Sequence, residues 1–115
     1  MTWDQEPPRP RYYKLDGRRA VPCPDAVEWA DWYETVEPAI ATTAVGPLEV
    51  STVFLGMDRI LGSGAPQLFE TMIFDAAGTP AAGYCRRYAS WEEAEAGHGE
   101  AVEIARQVAA EEEGK

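Results

Sequence analysis

The sequence predicts an α+β fold, an antiparallel sheet of about five or six strands with two helices packed on it. Two observations predict it. Short runs rich in β-branched and aromatic residues are separated by turns built on Gly and Pro, and two amphipathic segments each open on a helix-capping residue. A length of 115 residues suits one domain, because two independent cores in so short a chain would each bury too little surface. Apolar residues make up 45% of the chain, with four Trp, five Tyr and three Phe among them. That is enough bulky material to offset the entropy of ordering without a structural metal.

Taken in order, residues 1–10 carry Pro7, Pro8 and Pro10 among charges. They read as an extended arm or a disordered tail, of the kind that can dock on a neighbouring subunit. The α+β domain follows over 11–110. Tyr12-Tyr13-Lys14-Leu15 and Arg18-Arg19-Ala20-Val21 flank Asp16-Gly17, the local signal of a type I′ hairpin, and Pro22 and Pro24 end the second strand because neither donates to a ladder. Asp25 stands three residues before Glu28, an acidic variant of the capping box, and Trp29, Trp32, Tyr33 and Val36 follow at helical spacing up to the stop at Pro38. Strands are predicted over 39–45 and 49–55, with Gly46-Pro47 as the turn between them. The loop 56–67 is long and carries Met57, Ile60 and Leu61. Strands over 68–74 and 83–88 should pair antiparallel.

Ser90 and Glu93 form a capping box, and an apolar stripe runs from Trp91 through Ala94, His98, Ala101, Ala105 and Ala109. Gly97 and Gly99 each cost about 1 kcal/mol relative to alanine inside a helix, which points to a kink or to close backbone packing near His98. Residues 111–115 read as a frayed acidic tail, since their carboxylates oppose the helix dipole.

Twenty Asp and Glu against ten Lys and Arg give a formal charge of −10. Such a chain repels nucleic acid and anionic lipid. No run approaches the ~18 apolar residues of a membrane span, and the N-terminal residues lack the basic and apolar regions of a signal peptide. A cytoplasmic protein is expected. Cys23 and Cys85 have neither CxxC spacing nor a nearby histidine, so both read as buried free thiols.

No P-loop, dinucleotide fingerprint, GxSxG elbow, HExxH or EF-hand pattern occurs, and a single histidine excludes any site that needs two. No cofactor and no metal are expected. If the chain is an enzyme, the catalytic candidates are His98, Glu70 and Asp58. A histidine beside a carboxylate can serve as a general base if the last helix crosses the 68–74 strand and the loop folds over the pair. The bland readings are a buried structural histidine, a Glu70 paired with Arg86 on the next strand, and an Asp58 that organises its own loop. The ligand-binding candidates are Arg18, Arg19, Arg86 and Arg87 with Trp91, because guanidinium groups beside an aromatic platform suit a small anion. Adjacent arginines in a strand point to opposite faces, so neither pair forms one clamp, and ion pairing to nearby acids is the plain alternative.

Three segments resemble a family of small tailed-phage and prophage proteins that has no established activity. They are Val50-Ser51-Thr52-Val53-Phe54-Leu55-Gly56-Met57-Asp58, Pro66-Gln67-Leu68-Phe69-Glu70-Thr71-Met72-Ile73-Phe74, and Tyr88-Ala89-Ser90-Trp91-Glu92-Glu93-Ala94-Glu95-Ala96-Gly97-His98. The resemblance covers most of residues 11–104 and implies a phage context without catalytic residues to transfer. Where many members carry a histidine after the equivalent of Asp58, this chain has Arg59, which counts against a two-histidine metal site. Three functions follow as expectations. The first is a non-enzymatic accessory protein that binds a host protein or a small anionic ligand in the infected cell, alone or as a homo-oligomer. The others are a small hydrolase or lyase using His98, Glu70 and Asp58, and a minor virion or assembly component.

Overall fold

The computed structural model describes residues 10–58 and 64–114. Its elements are β1 (Tyr13–Asp16), β2 (Arg19–Pro22), α1 (Ala26–Thr35), β3 (Ala39–Val45), β4 (Leu48–Phe54), β5 (Phe69–Phe74), β6 (Pro80–Tyr88) and α2 (Trp91–Glu113). The fold is α+β. Among the described residues, six strands form two antiparallel sheets, the hairpin β1-β2 and a four-stranded meander in the order β3-β4-β5-β6. The expected arm at 1–10 lies almost wholly outside the described residues, as do Ile60 and Leu61 of the long loop.

The hairpin stands apart from the larger sheet because its second strand runs into Pro22 and Pro24, which cannot extend a ladder. A lone bridge from Tyr12 to Met57 ties it to the chain beyond β4. Asp16 pairs with Arg19, so the two-residue turn is Gly17-Arg18. Gly17 alone is left-handed, at φ 65°. That excludes the expected type I′ turn, which needs positive φ at both central residues, and fits type II′.

Strand periodicity decides the faces of the meander. Leu48, Val50, Thr52 and Phe54 of β4 are buried, as are Phe69, Thr71 and Ile73 of β5, while the residues between them turn to the opposite face. α2 lies across the buried face. Ala94, Ala101 and Ala105 are fully buried along it, and their small side chains let the helix backbone approach the sheet closely. Ser90 caps it by accepting the Glu93 amide, as the Ser-x-x-Glu spacing predicts. The helix continues through Glu111–Glu113, so three of the five residues expected to fray are helical.

Two apolar clusters flank the middle of α2. One joins Leu48, Val50 and Ile73 to Ala101, Val102 and Ala105. The other gathers Tyr13, Phe54, Leu68, Phe69 and Ala94, with Trp32, Tyr33 and Trp91 packed around them. α1 closes the second cluster. Asp25 caps it, accepting the Val27 and Glu28 amides at 2.9 and 3.1 Å, and Glu28 turns instead to Lys14 at 3.0 Å. The aromatic stripe of α1 is structural. The Trp29 indole donates to the Tyr13 carbonyl at 2.8 Å and the Tyr33 hydroxyl to the Phe54 carbonyl at 2.7 Å.

No helix among the described residues is long and apolar enough to cross a membrane.

Candidate functional site

The sharp turn at Gly17 carries Arg18 and Arg19 toward the start of α2, while the Ser90 cap fixes Trp91 at the first helical position. Between them opens a cleft of about 430 Å³, lined by Asp16, Arg18, Arg19, Phe69, Trp91 and Glu92 among others. Its floor is aromatic, with Phe69 and Trp91 packed edge to face at 6.2 Å. The Arg18 guanidinium lies 5.6 Å from the centre of the Trp91 ring, a cation–π distance, and its Nη1 reaches Glu95 at 3.4 Å. Arg18 is thus committed within the protein. Arg19 has no ion-pair partner among the described residues. The Trp91 indole N–H is buried and, among the same residues, unpartnered. An uncommitted guanidinium beside an aromatic floor can hold a small organic anion, the charge on Arg19 and the apolar body on Phe69 and Trp91.

Of the five sequence-predicted ligand residues, Arg18, Arg19 and Trp91 are brought together, and Arg86 and Arg87 are not. Arg87 sits on the sheet face away from α2 and bonds Glu70 at 2.9 Å. The expected partner of Glu70 was Arg86. The register sets Glu70 opposite Arg87 and Thr71 opposite Arg86, so alternation sends Arg86 to the other face, where it lies 5.6 Å from the Tyr84 ring centre.

The catalytic candidates are not assembled. His98 is buried beneath α2, with Nδ1 2.7 Å from Thr52 Oγ1 and Nε2 2.9 Å from Thr43 Oγ1. Thr52 in turn meets Thr71 Oγ1 at 2.5 Å. A neutral imidazole donates through one nitrogen and accepts at the other, and the rotatable hydroxyls complete either polarity. Neither carboxylate is among the groups the ring bonds. Glu70 faces away from α2, and Asp58 is buried where the chain leaves β4, its amide bonded to the Arg11 carbonyl at 2.8 Å. The chain Thr43-His98-Thr52-Thr71 is a polar layer across β3, β4 and β5. Sequence reasoning placed His98 in the core but missed its partners. Their signal was a threonine at an inward position of each of three successive strands.

Cys23 is buried and Cys85 exposed, both as free thiols. Cys85 departs from the buried reading because it lies on the face that α2 leaves open.

Burial pushes the His98 imidazole below its ordinary value of 6.5. Above 6.5 the ring is neutral in both the folded and the unfolded chain. As pH falls past 6.5 the unfolded chain takes up its proton first, so stability declines until the lower folded value is reached. His98 is the single histidine, and carboxylates titrate lower. The urea midpoint is therefore expected to be lower at about pH 5.5 than at about pH 7.5, and the difference to vanish in His98→Asn. Equal wild-type midpoints would show that the ring accepts a proton in place.

No family model, no curated protein and no solved structure matches the chain.

Proposed function

We propose that the chain is a phage-encoded accessory protein that binds a small organic anion in the Arg18-Arg19-Trp91 cleft, in the cytoplasm of the infected cell, and catalyses no reaction on it. One observation carries the binding reading: Arg19, without an ion-pair partner among the described residues, lines an aromatic-floored cleft together with Arg18 and Trp91. The resemblance of three sequence segments to small tailed-phage proteins is what supports the phage context. Against the hydrolase reading stands His98, with both ring nitrogens engaged by threonines and, among the described residues, no carboxylate bonded to it.

Native mass spectrometry of the protein purified from its phage-infected host tests the proposal. A retained small molecule is expected. Binding should weaken about tenfold in Arg19→Ala, the loss of one charge-assisted hydrogen bond, and stay unchanged in Arg86→Ala. A ligand held equally well by an Arg19→Ala/Trp91→Ala variant would place the site elsewhere. A bare chain would sink the small-ligand reading and turn attention to a host protein.

A further inference from the structure

We propose that the outer edge of β3 is a docking surface for a second copy of this chain, pairing antiparallel with its counterpart to join the two four-stranded sheets into one. β3 is an edge strand of the meander, and among the described residues nothing pairs with its outer side. Natural edge strands are blunted by charge, proline, glycine or irregular backbone, because an unpaired row of amides and carbonyls recruits another strand. The opposite edge, β6, has all four devices. It begins at Pro80, loses register between Met72 and Phe74, holds Ala82 and Gly83 in left-handed conformation, and carries Arg86 and Arg87. β3, with the sequence Ala-Ile-Ala-Thr-Thr-Ala-Val, has one irregularity, between Ala39 and Ala41. From Ala41 to Val45 its register with β4 is regular, and no residue of the strand is charged.

That lack of charge is what selects a second copy as the occupant. Two chains of net charge −10 repel, and an uncharged strand is where that repulsion opposes contact least. A basic partner would find no anion on β3 to pair with. Antiparallel self-pairing about Thr43 is self-complementary, as a two-fold interface requires. It sets Thr42 against Ala44 of the other copy and buries no charge. It also lets the α2 helices sit on one side of the joined sheet, each over its own strands. The cleft lined by Arg18, Arg19 and Trp91 is built from β1, β2, β5 and α2 and stays open, so the pairing stands or falls apart from ligand binding.

Five paired residues make a small interface, so the association is weak and should be sought at about 100 µM. Sedimentation of the full chain at that concentration is expected to approach twice 12.6 kDa and to fall to one chain in Thr42→Lys/Ala44→Lys. Both positions are exposed, so thermal melting should be little changed. The added lysines reduce the net negative charge, so lost association cannot come from overall repulsion. Hydrogen exchange on the wild type gives a second reading without mutation: β3 amides should exchange more slowly at the higher of two concentrations while β6 amides do not. A wild type that remains one chain at about 100 µM would overturn the proposal. So would a dimer that survives the lysines with β3 amides unprotected.

Discussion

His98→Ala should lower stability by about 2–4 kcal/mol, the cost of leaving a half-buried hydroxyl without its partner plus the space vacated by a buried ring. Thr52 keeps its bond to Thr71, but Thr43 loses the contact at 2.9 Å and the layer between the two apolar clusters opens. Urea denaturation reads the effect. The polar chain makes a sharper test possible, because an unmade hydrogen bond costs more than a made one contributes. His98→Leu combined with Thr43→Val, Thr52→Val and Thr71→Val removes every member at once and should recover most of what the single alanine loses. A change under about 1 kcal/mol in His98→Ala would mean that water replaces the ring at little cost. A combined variant no better than the single one would mean that packing, not hydrogen bonding, sets its value.

Gly97→Ala should destabilise by about 2–3 kcal/mol, although helix propensity alone favours alanine by about 1. A Cβ at Gly97 would fall inside van der Waals contact with Oη, Cζ and Cε1 of Tyr88. The Tyr88 hydroxyl is itself buried, and its neighbour Tyr84 is crowded enough that burial, reinforced by the Tyr88 hydroxyl, pushes its pKa up to about 12. Gly99 lies on the exposed side of the same helix with open space where a Cβ would stand. Gly99→Ala should therefore stabilise by about 1 kcal/mol. Opposite signs two residues apart are the expected result, with Tyr88→Ala relieving the defect in a Gly97→Ala background. Equal stabilisation by both alanines would show that Tyr88 does not pack on α2 at Gly97.

Both helices and their caps were legible in the sequence because each depends on neighbours within a few positions. Asp25 and Ser90 cap by reaching amides two or three residues away, whereas which side of each strand faces α2 was settled only by the packing of the helix. The two glycines of α2 signalled close packing. Only the position of Tyr88 shows that Gly97 needs its hydrogen and Gly99 does not. The same limit applies to the sites. Arg18, Arg19 and Trp91 were readable as residue types suited to an anion, but four arginines looked equivalent until register sent Arg87 to Glu70 and Arg86 to Tyr84. His98 looked available to Glu70 until strand alternation put them on opposite faces.

The sequence by itself determined the α+β class, the order of elements and the apolar stripe of α2, all products of backbone geometry acting over short spans. Tertiary structure decided the split into two sheets, the Glu70–Arg87 pairing, the threonines that hold His98 and the meeting of the hairpin with Trp91. Each of those joins residues far apart in the chain, and their proximity depends on strand register and on the way the helix lies across the sheet, neither of which leaves a periodic mark in a single sequence.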